Sequence, residues 1–212
     1  KQPTYHFNKK AAYTFASRFY LMKGEWQQVV EYANYVLGAD PKTMLRNWIG
    51  YSRQFEFKRQ RLFTRYTSPD EASNLLICTT ESRWARQMPT DRYGATKQTV
   101  DEIFNKRGIE GGGDFSKMTF DGTYPFVYSP SSIVNGKYIA KFDELSTTES
   151  IGLRPRGIYV SNVLFTADEA LLNRMEAYAM LKQYDKAIND YLQYMQGKFG
   201  FMPTVERDIY MR

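Results

Sequence analysis

The sequence predicts a mainly α-helical protein in which two helical pairs flank a long, loop-rich insertion carrying short strands. Helical periodicity is strong near both ends of the 212-residue chain, and the two periodic segments resemble each other. The stretch between them is rich in aromatic residues, glycine and proline and shows no repeat. We therefore divide the chain into a first helical pair (1–43), an irregular aromatic-rich insertion (44–165) and a second pair (166–212), which we expect to be truncated.

The N-terminal segment predicts two helices joined by a tight turn. Apolar and small residues recur at helical spacing at Ala12, Ala16, Phe19 and Tyr20. Gly24 ends this helix, and Glu25 opens the next. The second helix has its apolar face at Trp26, Val29, Val30, Ala33, Val36 and Leu37. Gly38 and Pro41 end it, because glycine commonly follows a helix and proline cannot continue one.

The stretch from Lys10 to Thr43 has the pattern of a tetratricopeptide repeat, a helix–turn–helix unit of roughly 34 residues. The positions for bulky, small and aromatic side chains are filled by Tyr13, Ala16, Ser17 and Tyr20. Val29 and Val36 stand where small alanine is usual. These two residues predict looser or re-angled helix packing within the same fold.

The second helical pair begins with a capping box at Thr166, where Glu169 follows three residues later. Its first helix is predicted to present Leu171, Met175 and Tyr178 on one face. Its second helix presents Ala187, Ile188, Tyr191 and Leu192. The segment reads as a second, weaker repeat.

The insertion predicts loops and short strands. Residues 75–78 read as a buried strand or a short helix, and residues 158–165 read as a strand. Asn135-Gly136 reads as a hairpin turn before another short strand. A helical turn is expected at 100–105, and the three glycines at 111–113 read as a flexible loop. An irregular insertion of this length is uncommon unless it has a function.

Basic residues are concentrated in one window. The chain has 29 Lys and Arg residues against 23 Asp and Glu, a net charge of +6. Between Lys42 and Arg65, seven basic residues stand against one acid, Glu56, with aromatic residues interleaved. We interpret the window as an amphipathic segment with its aromatic side chains in the core and its cations in water. Nucleic acid is not an expected partner, because no RNP-type, helix-turn-helix or zinc-finger pattern accompanies the charge.

The residue inventory argues against most catalytic and metal chemistry. Cys78 is the single cysteine and His6 the single histidine. A multi-cysteine zinc site, a His-ligated metal, a Ser-His-Asp triad and a Cys-His dyad are therefore not expected. We expect no catalytic residues, no metal site and no cofactor.

Two stretches resemble the helix–turn signature of SusD/RagB-like proteins. One runs from Ala11 to Trp26, and the other, more specific, runs from Asp168 to Ala179. Family members commonly carry an acidic residue followed by Leu-Asn-Arg-Ala-Glu-Ala-Tyr-Ala in the second stretch. The residues that match this pattern are Glu169, Leu172, Asn173, Arg174, Glu176, Ala177 and Tyr178. Met175 departs from the usual alanine.

The resemblance implies a non-catalytic surface lipoprotein of a glycan-foraging Gram-negative bacterium. Such proteins cap a SusC-like TonB-dependent transporter in the outer membrane and capture nutrients, usually oligosaccharides and sometimes peptides. Their repeats pack against the transporter, and their irregular part presents the ligand site. Family members are considerably longer and begin with an acylated cysteine, so we expect this chain to be a fragment whose lipid anchor lies outside it.

Two other interpretations stay open. Repeat proteins use extended concave surfaces to bind partners, so a tetratricopeptide-type protein or peptide-interaction module is the alternative. Exposed side chains within 13–20 and 171–178, lining a groove, would favour it. A two-carboxylate glycoside hydrolase is the third interpretation. Its acid pairs, Asp101-Glu102 and Asp143-Glu144, are adjacent residues that point apart and do not face each other across a substrate.

Aromatic residues in the insertion are the candidate ligand-binding residues, because sugar rings stack on flat apolar faces flanked by polar groups. Trp84 lies in a polar stretch without periodicity, beside Arg83 and Arg86 and shortly before Tyr93. A tryptophan packed under its own loop is the other interpretation. Tyr124 and Tyr128 share one face of a predicted strand and form a second candidate, or a buried aromatic stripe. Trp26 and Trp48 are predicted to be core residues.

Overall fold

The computed structural model describes residues 3–47, 64–81 and 157–199, together with the backbone of three short strands at 127–128, 138–139 and 145–147. This part of the chain is mostly helical, as the sequence predicts. Two compact units share the chain. A helical unit comprises Lys1–Ile49, Ser68–Ile77 and Val163–Arg212, and a strand unit comprises Gly50–Thr67 and Cys78–Asn162.

The first helix, α1 (Lys9–Lys23), has a cap at each end. Asn8 is its N-cap, and its Oδ1 accepts a hydrogen bond from the Ala11 amide at 3.0 Å. The Asn8 amide donates to the Leu75 carbonyl at 2.7 Å, which ties the start of the helix to a distant strand. Gly24 ends the helix in the left-handed conformation, with φ of 74°, as the sequence predicts.

The buried face of α1 differs from the predicted one. Ala11, Thr14 and Ser17 are fully buried, whereas Phe19 is half exposed. Phe19 belongs to the set of apolar residues that recurs at helical spacing, yet it is not on the buried face of α1. The small residues face a neighbouring helix closely, and aromatic side chains on the adjoining stripe are left outward.

The second helix, α2 (Trp26–Leu37), buries the apolar face that the sequence predicts. Its buried residues are Val29, Val30, Ala33, Val36 and Leu37. Trp26 is half buried and packs against the cluster around Val29 and Val30. Gly38 ends the helix at φ of 68°, and a 3-10 turn at Pro41–Thr43 follows it.

The second pair consists of α3 (Ala167–Met180) and α4 (Tyr184–Phe199). Thr166 is the N-cap of α3, and its hydroxyl accepts a hydrogen bond from the Glu169 amide at 3.1 Å. This half of the predicted capping box is confirmed. The Glu169 carboxylate binds Arg18 of α1. The acid three residues after the cap therefore joins two helices.

The four helices pack in sequence order within the helical unit. Helix α1 packs on α2, α2 on α3 and α3 on α4, and α1 also contacts α3. The main hydrophobic cluster is formed by Ala11, Ala33, Val36, Leu37, Leu75, Phe165, Ala167, Ala170 and Leu171. A second cluster, of Val29, Val30 and Ala177, lies between α2 and α3. The interface between the two helical pairs thus contributes to the core.

The strands form two small sheets. One has the order β1-β5-β4, with β1 at Asn74–Glu81, β4 at Leu145–Thr147 and β5 at Gly157–Thr166. The other pairs β2 (Val127–Tyr128) antiparallel with β3 (Tyr138–Ile139). Residues 75–78 form a strand and not the alternative short helix, and the strand predicted at 158–165 is confirmed. The Asn135-Gly136 turn, the helical turn at 100–105 and the glycine loop at 111–113 lie outside the described residues.

Substitution of Gly24 should destabilise the chain according to how well the new residue tolerates a positive φ. We expect Gly24→Ala to lower the free energy of unfolding by about 1 kcal/mol, since the left-handed conformation costs an L-residue that much. Gly24→Asn is the matched control and should cost less, because asparagine enters this region more readily. Urea unfolding measures both variants. An alanine variant as stable as wild type would contradict the structure of this turn.

Candidate functional site

The predicted ligand residues fall mainly outside the part of the chain that the structure describes. Trp84, Arg83, Arg86, Tyr93 and Tyr124 belong to this group. Tyr128 lies in β2, where its backbone is paired with Tyr138, and its side chain is outside the description. Trp48 is also outside it. The ligand-binding role of these residues therefore stays a prediction.

The segment that carries the ligand candidates connects two neighbouring strands. Residues 82–156 leave from the end of β1 and return at the start of β5, and these strands are adjacent in the sheet. Thr79 Oγ1 lies 3.3 Å from Ser161 Oγ, and the Asn162 amide donates to Thr80 Oγ1 at 3.0 Å. Side chains thus add to the pairing at the base of the insertion.

The residues that carry the family resemblance hold the two helical pairs together. The Glu169 carboxylate accepts hydrogen bonds from Arg18 of α1, at 2.5 and 2.7 Å. This ion pair raises the pKa of the Arg18 guanidinium. The Asn173 amide donates to the Ser17 hydroxyl at 3.3 Å. Glu169 and Asn173 are four residues apart, so both face α1 along one stripe of α3.

Arg174 faces the other side of α3 and makes a buried ion pair with Asp190 of α4. It is 7% exposed and binds Asp190 of α4, 2% exposed, through two parallel hydrogen bonds of 2.8 and 2.7 Å. Its remaining terminal nitrogen donates to Asn34 Oδ1 of α2 at 2.7 Å. One guanidinium therefore joins three helices, in the planar bidentate geometry that arginine favours with a carboxylate.

Sequence reasoning missed Asp190. The apolar periodicity of α4 placed the nearby Ala187 in the core, and Ala187 is buried. An isolated acid one turn further along the helix reads as a surface residue. The signal that could have identified it is Arg174, because a charged residue on the buried side of one helix requires a partner on the next.

An exposed apolar face lies on α1, on the segment just before it and at the end of β5. Its members are Phe7, Phe15, Phe19, Met22 and Leu164. Phe165, which is buried, makes edge contacts with the rings of Phe7 and Phe15, each at 6.3 Å between centroids. The Arg18 guanidinium lies over the Phe165 ring at 4.5 Å. This exposed apolar face resembles the surfaces that take part in protein contacts.

A cluster of four tyrosines lies between α1 and α2. Tyr20 and Tyr32 are stacked at 5.4 Å, and Tyr13 and Tyr35 approach to 4.9 Å. The pKa of Tyr32 is raised, chiefly by the nearby Tyr20 phenol, and that of Tyr35 is raised by its hydrogen bond to Glu31. Both phenols are therefore neutral at physiological pH. The cluster presents an aromatic surface with hydroxyl groups at its edges.

A small cavity opens beside the 3-10 turn that follows α2. It has a volume of about 230 Å³ and lies against the C-terminal half of α4. The residues that line it are Lys42, Leu45, Arg46, Asn47, Gln193, Gln196 and Gly197. Two cations and three side-chain amides line this cavity, which we call the Lys42 cavity. It could not be predicted from the sequence, because its two walls lie about 150 residues apart in the chain.

Among the described residues, no group of His, Cys, Asp and Glu side chains could hold a metal ion. Within the same ranges, no helix is both long and apolar enough to cross a membrane. Cys78 is exposed at the middle of β1, and His6 is exposed before α1.

Comparison of the chain with protein-family models, with curated proteins and with solved structures found no match.

Breaking the Arg174–Asp190 pair should be much more damaging than breaking the exposed Arg18–Glu169 pair. We expect Asp190→Leu or Arg174→Met alone to cost about 3–5 kcal/mol of unfolding free energy, because each leaves a buried charge without its partner. Arg18→Met is the matched control. It should cost no more than about 1 kcal/mol, since 44% of the Arg18 side chain is exposed to solvent.

The double variant Arg174→Met/Asp190→Leu separates the two sources of this loss. We expect it to be more stable than either single variant, because no buried charge remains. Urea unfolding of the wild type, the two single variants and the double variant measures the four free energies of unfolding. If the loss of unfolding free energy in the double variant equals the sum of the losses in the two single variants, the two side chains do not act as a pair.

Proposed function

We propose that this chain is a non-catalytic, cell-surface protein that captures nutrient oligosaccharides for uptake through a SusC-like TonB-dependent outer-membrane transporter. The observation that carries the proposal is the packing of α2 on α3, which joins the two helical pairs into one scaffold. Such stacking of successive pairs is what tetratricopeptide-like repeats require. A SusD-like architecture needs both pairs in one scaffold and the insertion between them in sequence.

The residues that resemble the family signature support this proposal by what they do. Glu169, Asn173 and Arg174 each bond to the first helical pair, through Arg18, Ser17 and Asn34 respectively. These three residues of α3 can make such bonds only when the first helical pair packs against this helix. The contacts thus give a physical reason for these residue types at these positions of α3.

In this proposal the insertion binds the ligand. Its tryptophan and tyrosines offer flat faces to sugar rings, and its arginines offer hydrogen-bond donors to hydroxyl groups. Trp84, with Arg83 and Arg86 beside it and Tyr93 near it, is the proposed centre of the site. Tyr124 and Tyr128 are the proposed second platform. The helical unit serves as the part that docks on the transporter.

Calorimetric titration with neutral and anionic oligosaccharides should give saturable binding by the wild-type chain. We expect Trp84→Ala to weaken the affinity for the bound sugar about tenfold, because removal of a stacking platform loses the largest contact area. Calorimetry is preferred to fluorescence, since the substitution also removes a fluorophore. No saturable heat from any member of the panel would contradict glycan capture by this chain.

Tyr184→Ala is the matched control for that titration. Tyr184 is an aromatic residue at the start of α4, and 58% of it is exposed. Tyr184 belongs to the helical unit and not to the insertion, so the Tyr184→Ala variant should keep the wild-type affinity for the sugar. Equal weakening in the Trp84 and Tyr184 variants would contradict a site in the insertion, even if the wild-type chain binds sugar.

The exposed apolar face favours the second candidate, a peptide-interaction module. Phe15, Phe19 and Met22 follow each other at helical spacing on α1, with Phe15 and Phe19 half exposed and Met22 83% exposed. A tetratricopeptide-like scaffold would offer this stripe of its first helix to a partner. Apolar side chains in such a position typically serve as anchors at protein interfaces.

Selection of displayed peptides on the wild-type chain tests this second candidate. It predicts a consensus with apolar anchors, whose binding falls about tenfold or more in the Phe15→Ser/Phe19→Ser variant, because two aromatic anchors are lost. Tyr184→Ser is the control and should keep the binding. A failure to select any consensus, or a consensus that both variants bind equally, contradicts the peptide function.

A further inference from the structure

We infer that the exposed apolar face joins two copies of this chain into a weak two-fold dimer, through an antiparallel contact between their α1 helices. The face consists of Phe7, Phe15, Phe19, Met22 and Leu164, all of which belong to the helical unit. None of these residues is among the ligand candidates of the proposed function. The inference therefore stands apart from glycan capture and is tested without a sugar.

The exposed apolar face is continuous, because its rings are joined through Phe165. The Phe165 ring makes edge contacts with those of Phe7 and Phe15, each at 6.3 Å between centroids. Phe19 and Met22 continue from Phe15 along α1 at helical spacing. These residues therefore form one stripe, which differs from the single apolar residues that are normal on a protein surface.

The area of the face is that of a weak dimer interface. Phe7 is 61% exposed, Phe15 and Phe19 are each 50% exposed, and Met22 is 83% exposed. Since an aromatic side chain can bury about 150–250 Å², the members of the face together expose on the order of 500 Å². Two copies face to face thus remove about 1,000 Å² from water, which is the lower limit for a specific interface. We therefore expect a dissociation constant in the micromolar range.

The charges that border the stripe are balanced within the chain. Arg18 borders it on one side and is paired with Glu169. Lys23 borders it on the other side and is paired with Glu25. These two ion pairs contribute no net charge, so they give anionic lipids and acidic peptides no electrostatic advantage at this face. A second copy can approach without bringing unbalanced like charges together.

The order of side chains along α1 makes the stripe complementary to itself. Phe15, Phe19 and Met22 have the spacing at which two helices pack along one seam. A two-fold axis close to Phe19 sets two such helices antiparallel, with each Phe15 opposite the partner's Met22. The flexible thioether then fills the space beside the rigid ring. Because a two-fold contact uses the same patch on both copies, it requires no second surface.

Sedimentation velocity of the full chain over a range of concentrations tests the inference. The weight-average sedimentation coefficient should rise from that of one chain toward that of two, with its midpoint in the micromolar range. A chain that stays monomeric up to about 200 µM contradicts the inference, since its dissociation constant would then lie well above that range. Growth beyond two chains contradicts it as well, because a two-fold contact closes at the dimer.

Charged substitutions at Phe19 test the antiparallel geometry. Phe19→Glu and Phe19→Lys should each weaken dimerisation at least about tenfold, because two like charges then meet near the axis. An equimolar mixture of the two variants should form a mixed dimer, since opposite charges face each other. Phe19 is half exposed, so both variants should keep the fold, which circular dichroism verifies.

Tyr184→Glu is the matched control for these substitutions. Tyr184 is 58% exposed on α4 and does not belong to the exposed apolar face. The variant should dimerise as the wild type does. Dimerisation that persists in both Phe19 variants, or that is lost equally in the Tyr184 variant, would contradict a contact through α1. A mixture of the Phe19 variants that stays monomeric would contradict the two-fold placement of Phe19.

Two further results would assign the face to another occupant and overturn the inference. A monomeric wild-type chain that cosediments with phosphatidylglycerol vesicles, while Phe19→Glu does not, would assign the face to a membrane. A monomeric chain that binds a selected apolar peptide in the same Phe19-dependent way would assign it to that partner. None of these results changes the Trp84 titration, so failure here is distinguishable from failure of glycan capture.

Discussion

The bond network of Arg174 is the constraint on which the helical unit depends. Its guanidinium reaches Asp190 and Asn34, so α2, α3 and α4 are all fixed relative to one side chain. Burial of both charges costs solvation free energy, and the pair is therefore weak evidence for stability. The contribution of the pair is to fix the positions of the helices relative to one another. Hydrophobic contacts tolerate sliding of one helix along another, whereas a bidentate arginine–carboxylate pair with a third partner permits one register. A helical pair that slipped by a turn would leave a buried charge unpaired.

Small side chains allow the helices to approach closely enough for this network to form. Ala33 and Ala170 are fully buried in the main cluster, and Ala177 is fully buried in the second. Val29 and Val36 of α2 are both buried. Val29 lies in the second cluster with Ala177, and Val36 lies in the main cluster with Ala167 and Ala170. Larger side chains on α2 are therefore balanced by small ones on α3, which is how cores commonly accommodate differences in volume.

The elements that local chemistry determines could be predicted from the sequence, and those that distant partners determine could not. Gly24 and Thr166 mark helix ends because glycine and threonine act on the adjacent backbone, and both were predictable. The outward position of Phe19 was not, because the face that α1 buries depends on α3, which lies about 150 residues later. Asp190 reads as a surface acid until Arg174 is placed against it. The Lys42 cavity is the same case, since its walls meet only in the folded chain.

The contacts of the signature residues also limit what a family resemblance can say about a ligand. The polar groups of Glu169, Asn173 and Arg174 form hydrogen bonds with Arg18 and with other residues of the scaffold. Side chains whose polar groups are bonded within the scaffold are not available to recognise the hydroxyls of a sugar or the side chains of a peptide. A sequence signature whose residues serve helix packing therefore identifies an architecture, and that architecture is compatible with many ligands. Discrimination between ligands must come from other residues, and the proposed ones are those of the insertion and of the exposed apolar face. Binding measurements on these two surfaces, each with its own variants, are consequently the route from the fold to the function.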